Sequence, residues 1–209
     1  MTTAQAGKAR CNPPLAMGDH LTRAEFERLY ELMPHGIKCE LVEGVVYVSS
    51  PVRAQFHGKQ TAAVFAWLGV YWAMHPEITV ADNATVRLDL DNEPQPDACV
   101  WRNEGPAVRL NDGYIEGAPE LVVEVAASTA SYDLHEKLRA YRRNGVEEYI
   151  VWRVFDEAID WFRLREGEYV RLEPDERGVV HSEVFPGLRL AVGAMIAGDL
   201  AAVLAQQQE

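Results

Sequence analysis

Apolar and polar positions change their period several times along the chain, and each change marks an element. Thr22-Arg23-Ala24-Glu25 has the form of a helix capping box, and Phe26, Leu29 and Leu32 follow at helical spacing. Pro34 and Gly36 end that helix. Over residues 37–50 the pattern turns β-prone: Ile37, Cys39 and Leu41 alternate with Lys38 and Glu40, and Val45-Val46-Tyr47-Val48 comes after Glu43-Gly44. Two such runs around a Glu-Gly turn predict a hairpin. Helical spacing returns over residues 53–74, through Phe56, Gln60, Val64, Trp67, Leu68 and Tyr71, and Pro76 stops it. Two strands are predicted within residues 78–90, the clearer one on Val86, Leu88 and Leu90, and another over residues 96–101. Residues 102–117 are polar and contain Gly, so they read as loop.

The second half is built differently. Leu121-Val122-Val123-Glu124-Val125 is an apolar run broken by one acid, which suits a central strand buried on both faces. Residues 132–143 form a predicted helix that stops at Asn144-Gly145. Residues 149–154 form the next buried strand, and short β-like runs alternate with Gly and Pro turns between 157 and 190. Leu200, Val203 and Leu204 predict a closing helix. With 209 residues the chain suits one domain, over 19–209, preceded by a flexible arm over 1–18 that carries Gly7, Pro13, Pro14 and Gly18.

Composition narrows the compartment and the partners. No run of eighteen apolar residues is present, so no membrane-spanning helix is predicted. The first fourteen residues lack the apolar segment of a secretory signal. Cys11, Cys39 and Cys99 lie far apart, which fits reduced thiols in a cytoplasmic protein better than disulfides or structural zinc. The net charge of -12 argues against a broadly basic nucleic-acid surface. It is compatible with clustered carboxylates at a metal site.

Three residues carry candidate chemistry. Glu124 sits inside an apolar run, where an unpaired carboxylate would cost several kcal/mol, on the order of magnitude of a buried charge. It needs a metal, a cation or water at the strand end. Asp97 opens a predicted strand after Pro96, a place where an Asp also serves ordinary turns. Asp133, Lys137 and Tyr141 share one helical stripe at i, i+4, i+8, with Leu134 and Leu138 beside it facing the sheet. The plain reading of Asp133 and Lys137 is a surface ion pair; the functional one is an ammonium at the edge of the buried face, reaching a site. Two carboxylates from neighbouring strands would hold Mg²⁺, and the lysine would orient or deprotonate water or offset phosphate charge.

Several segments together resemble the Uma2 family of restriction-endonuclease-like proteins. They are Cys39-Glu40-Leu41-Val42-Glu43-Gly44, Gln95-Pro96-Asp97, Gly117-Ala118-Pro119-Glu120-Leu121-Val122-Val123-Glu124-Val125, the stretch from Tyr132 to Tyr141, and Gly145-Val146-Glu147-Glu148-Tyr149. The resemblance spans roughly residues 19–195. It implies an α/β fold with a PD-(D/E)XK core: a central mixed β-sheet flanked by helices, with an N-terminal helix and hairpin. It makes Asp97 the Asp of the PD motif and Glu124 the acid of the second half-motif. The Lys usually found two residues after that acid is replaced by Ala126, and Lys137 on the next helix would supply it. Glu40 becomes a further acid of the site, and His57 a residue that contacts phosphate or orients water. Where the family has Leu-Ser-Pro-Ser-Thr after Glu-Val, the chain has Ala126-Ala127-Ser128-Thr129, one residue shorter and without the Pro, a change that bears on the Glu124–Lys137 spacing.

The expected activity is therefore a Mg²⁺-dependent endonuclease that hydrolyses DNA phosphodiester bonds, with Mn²⁺ as an alternative ion and a homodimer compatible with cutting two strands. Asp97 and Glu124 would bind the metal. A catalytically weak or inactive binding or assembly module on the same fold is the competing class, and a hydrolase of small nucleotides is a third. His135-Glu136 lacks the second His of a zinc-protease helix, and Arg139, Arg142 and Arg143 read as a solvated helix end. The five tryptophans read as core, not as base-stacking platforms.

Overall fold

The computed structural model describes residues 14–49 and 54–207. In chain order these form α1 (Arg23–Tyr30), the strands β1 (Cys39–Val42) and β2 (Val45–Val48), and a π-helical turn (Ala54–Gly58) that runs into α2 (Lys59–Met74). Next come β3 (Ile78–Asp82), β4 (Val86–Arg87), β5 (Ala98–Arg102), β6 (Val108–Asn111), β7 (Tyr114–Gly117) and β8 (Leu121–Ala126). A short α3 (Ala130–Tyr132), a second π-helical turn (Asp133–Lys137) and α4 (Leu138–Arg143) follow without a break. Then come β9 (Glu148–Arg153), β10 (Ala158–Arg165), β11 (Glu168–Arg171), β12 (Val179–His181), β13 (Arg189–Ala191), α5 (Val192–Ala197) and α6 (Leu200–Gln206).

The central sheet has the order β11-β10-β9-β8-β5-β3. Only β8 and β9 pair in parallel among its described strands; the other pairs are antiparallel, so the sheet is mixed. All six residues of β8 are buried. The reason is that both faces of the sheet are covered. Leu121, Val123 and Val125 pack with Val64, Trp67, Leu68 and Tyr71 of α2 and with Met195 and Val203 of the C-terminal helices. Val122 and Ala126 pack on the other face with Tyr141, Tyr149 and Val151. A third cluster joins Phe26 of α1 to Leu41 and Val46 of the first hairpin.

Local signals account for the first elements. The Thr22 hydroxyl accepts from the Glu25 amide and the Glu25 carboxylate accepts from the Thr22 amide, so the capping box forms as predicted. The β1–β2 hairpin pairs Cys39 with Val48 and Val42 with Val45, leaving a two-residue turn at Glu43-Gly44 with φ of 54° and 73°.

Other expectations change. Residues 102–117 are not plain loop: they contain β6 and β7, joined at Asp112-Gly113 with φ of 50° and 83°. Asp-Gly is a strong two-residue hairpin signal. It is masked here because most of β6 is exposed, so no apolar alternation accompanies it. The predicted strand on Val86, Leu88 and Leu90 shrinks to Val86–Arg87, and Leu90 is 74% exposed. The chain turns away there because Asp89 accepts from the Asp91 amide and from the Asn92 side chain. Both long predicted helices contain a π-helical turn. Four tryptophans are buried, but Trp72 is exposed. Of the expected N-terminal arm, residues 1–13 lie outside the described residues. Leu15 is buried against the α1 cluster and the Gly18 amide donates to the Val46 carbonyl, so residues 14–18 pack on the fold.

Gly117, at the end of β7, is fixed by its surroundings. Its φ is +100°, and a Cβ there would lie 2.1 Å from the Ala107 carbonyl oxygen. Gly117→Ala should therefore destabilise the protein by about 2 kcal/mol or more, beyond the usual cost of a left-handed Ala. Urea unfolding would measure this; an unchanged midpoint would show that β6 and β7 do not approach as described.

Candidate active site

Strand register sets the site. Antiparallel pairing of β5 with β8 runs through Ala98↔Val123, Cys99↔Val122 and Val100↔Leu121. Asp97, one residue before β5, thus stands across from Glu124. Its Oδ2 accepts from the Val125 amide at 2.7 Å, which ties the two segments together. Alternation along β8 sends Val123 and Val125 toward α2 and Glu124 to the opposite face, where the second π-helical turn and α4 pack.

On that face Lys137 reaches the acids. Its Nζ lies 2.8 Å from Glu124 Oε1, 3.0 Å from Glu40 Oε1 and 4.0 Å from Asp133 Oδ1. The Tyr141 hydroxyl donates to the same Glu124 oxygen at 2.8 Å. Glu40, delivered by β1, also accepts from the Gln95 amide at 2.6 Å, just upstream of Asp97. His57 comes from the first π-helical turn: its Nε2 is 3.1 Å from Asp97 Oδ1, and its Nδ1 is 3.1 Å from the Thr61 hydroxyl. Glu40, Asp97, Glu124, Asp133 and Lys137 are all buried, none more than 6% exposed. His57 is the more open member.

The five residues expected from the sequence therefore lie in two directly bonded groups, Glu40–Lys137–Glu124 and Asp97–His57, joined across the β5–β8 register. Position 126, on the same face of β8 as Glu124, is a buried alanine, and the ammonium of the site comes from Lys137 instead. The shorter segment 126–129 does not part Lys137 from Glu124. Of the two readings of Asp133 and Lys137, the surface pair does not form: both side chains are buried beside Glu124. Asp133 and Tyr141 were missed as site residues. Their signal was the i, i+4, i+8 stripe itself, a polar line on a helix that has to cover a sheet.

Electrostatics follow from four buried carboxylates around one ammonium. Burial, with Asp133, Asp97 and Glu40 nearby, pushes Glu124 up to about 8 against the pull of Lys137. Burial likewise pushes Asp133 up to about 6. Asp97 goes the other way: burial would raise it, but His57 and the Val125 amide hold it below its usual value. Burial opposes the charge on Lys137, yet Glu124 and Glu40 win and hold its proton far more tightly than usual.

The donor set fits a hard divalent cation. All the acids offer oxygen, negative charge is in excess, and Glu40 and Glu124 each keep one oxygen without a hydrogen bond among the described residues. No group of three His, Cys, Asp or Glu side chains among the described residues is already arranged to hold a metal. Positive charge in this arrangement is supplied by Lys137 instead.

A family model described as "Putative restriction endonuclease", Uma2, matches residues 23–193. The chain belongs to the Uma2 family. Among solved structures it is similar to one from Anabaena variabilis ATCC 29413, described as a putative nuclease belonging to DUF820. The TM-score is 0.64 at 16% identity, over 84% of this chain and 99% of that one. That likeness is one of fold: this Uma2 chain shares with that structure the mixed sheet and flanking helices already described. No curated protein matches the sequence.

Outside the site, this Uma2 protein pairs its surface arginines with acids. Arg139 faces Glu136, Arg142 faces Glu168, and Arg143 faces Glu43 and Asp89. Cys39 and Cys99 are buried and unbridged. No helix among the described residues is long and apolar enough to cross a membrane. An apolar cavity of about 210 Å³, lined by Lys59, Ala63, Trp152, Met195, Ile196 and Leu200, lies on the α2 side of the sheet, away from the face that carries Glu124.

The raised carboxyls make stability depend on pH. Glu124 and Asp133 keep protons in the folded state that the unfolded chain releases above about 4. Their stabilising contribution is whole below that value and is lost as pH rises through about 6 and about 8. The lowered Asp97 acts below about 4, outside this window. Without divalent cations, the melting temperature should fall from pH about 5 to about 9, and Glu124→Gln should flatten the fall. Thermal melts across that range check this; a rising curve would contradict it.

Proposed function

We propose that this protein is a divalent-cation-dependent endonuclease that hydrolyses phosphodiester bonds of DNA. The observation that carries the reading is the meeting of Asp97, at the entry to β5, Glu124, on β8, and Lys137, on a separate helical segment, in one buried cluster. Membership of Uma2 supports it. Asp97 and Glu124 would hold Mg²⁺ or Mn²⁺, with Glu40 beside them. When bound, such an ion polarises the scissile phosphate and makes the attacking water more acidic.

The chain's own residues have distinct tasks in this reading. Lys137 holds its proton at Nζ, so it offsets negative charge and orients oxygen ligands; it does not serve as a base. Tyr141 fixes the position of the Glu124 carboxylate by donating to Oε1. His57, the most open member, is held at Nδ1 by Thr61 and at Nε2 by Asp97, so it meets a phosphate or a water by exchanging one of these two contacts. Nuclease assays on linear, supercoiled and single-stranded DNA with Mg²⁺ and with Mn²⁺ test the proposal. Asp97→Ala and Glu124→Ala should each lower cleavage at least about a hundredfold, a loss typical of removing a group that stabilises transition-state charge. Cleavage indifferent to both changes would locate the activity elsewhere.

Lys137 gives a second test. Lys137→Met leaves buried carboxylates without their counterion and should cost about 3–5 kcal/mol in metal-free buffer. Mg²⁺ or Mn²⁺ should recover part of this stability, because the ion replaces the lost charge. Calorimetric melts with and without the ion measure both effects, and a variant that ions leave untouched would speak against a cation site. That result would favour the other reading, a non-catalytic binding or assembly module. The engagement of Lys137 with both Glu40 and Glu124, and the net charge of -12, are what favour that alternative.

A further inference from the structure

One wall of the cluster has no task in the reading above. Tyr132 closes α3, immediately before Asp133. Its ring lies against that of Tyr47, with centroids 4.1 Å apart and planes 34° from parallel. Tyr47 is the cross-strand partner of Glu40. Lys137 Nζ stands 5.5 Å from the centre of the Tyr132 ring. The phenol is thus placed beside both Glu40 and Lys137.

Its hydroxyl is buried and makes no hydrogen bond among the described residues. The other tyrosines around the cores behave differently. Tyr30, Tyr71, Tyr149 and Tyr169 each donate to a backbone carbonyl, and Tyr141 donates to Glu124. A buried hydroxyl with no partner is unfavourable for folding, and phenylalanine would fill the same space without that penalty. The hydroxyl is therefore a donor that the described residues leave open to a further oxygen.

The chemistry of that absent partner is constrained. Burial, with Glu40 and Glu124 close by, strongly opposes loss of the phenolic proton, so Tyr132 offers a donor and never a base. Lys137 and Tyr141 already spend their protons on Glu40 and Glu124, so the Tyr132 hydroxyl is the donor left for an anionic oxygen that the acids themselves would repel. We propose that the Tyr132 hydroxyl donates a hydrogen bond to a nonbridging oxygen of the bound phosphodiester. This rests on the nuclease reading and adds a substrate-binding residue to it.

The test is Tyr132→Phe, read in three ways on the full chain. Thermal melting of the ligand-free variant should be no lower than that of the wild type, because the lost hydroxyl had no partner. Binding to a fluorescent DNA duplex, followed by anisotropy with Ca²⁺ in place of Mg²⁺, should weaken about tenfold, as expected for one lost hydrogen bond to a charged group. Cleavage with Mg²⁺ should fall in kcat/KM by at least a similar factor. A lower melting temperature with unchanged binding would assign the hydroxyl a structural role and overturn the inference. Unchanged binding and cleavage would overturn it too and leave the hydroxyl to a trapped water. If the wild type cleaves no DNA, the nuclease reading fails by itself. The anisotropy comparison then still decides whether Tyr132 meets a phosphate, and a wild type that neither binds nor cleaves overturns both.

Discussion

A buried ammonium holding several carboxylates is the constraint on which this protein's site depends. An apolar strand between two covered faces would not tolerate Glu124 alone. Lys137 compensates it, and in doing so pulls Glu40 from the hairpin and the second π-helical turn onto the same point. The site is thereby part of the core, not an addition to its surface. The same arrangement leaves carboxylate charge in excess, and in the proposed nuclease that excess is what a cation would meet.

The position of the acids comes from backbone pairing. The β5–β8 register brings Asp97 across from Glu124, and the bond from the Val125 amide fixes it there. Parity along β8 decides that Glu124 turns away from α2 and toward the face where α4 packs. A slip of one residue would exchange these faces and bury the carboxylate against Trp67 and Leu68, where no cation waits. Burial of every residue of β8 gives the strand no freedom to slip.

Ligand-free electrostatics also separate roles among chemically similar groups. Asp97, bonded to His57 and an amide, stays readily ionised, while Glu124 and Asp133 hold protons more strongly than usual. Lys137 is fixed as a cation. In the proposed nuclease, an incoming divalent ion would shift this balance by replacing protons and part of the lysine's charge, so metal binding and protonation are coupled.

By itself the sequence determined the elements whose signals are local: the capping box at Thr22 and Glu25, the turn at Glu43-Gly44, the buried run around Glu124, and the helix stop at Asn144-Gly145. Its motif pattern also pointed to Uma2 and to the residues Glu40, His57, Asp97, Glu124 and Lys137. Residues 102–117 were misread because an exposed hairpin need not alternate apolar and polar side chains, and Asp112-Gly113 alone had to carry the signal. The strand expected through Leu90 failed because hydrogen bonds to Asp89 turn the chain after Arg87, a local polar contact that outweighs β propensity. Tertiary structure decided what spacing cannot express: that Asp133, Lys137 and Tyr141 line a buried site, and that the Tyr132 hydroxyl beside it has no hydrogen-bond partner among the described residues. Helical periodicity gives a direction around an axis. Only packing against the sheet and the hairpin tells whether that direction meets water or four carboxylates.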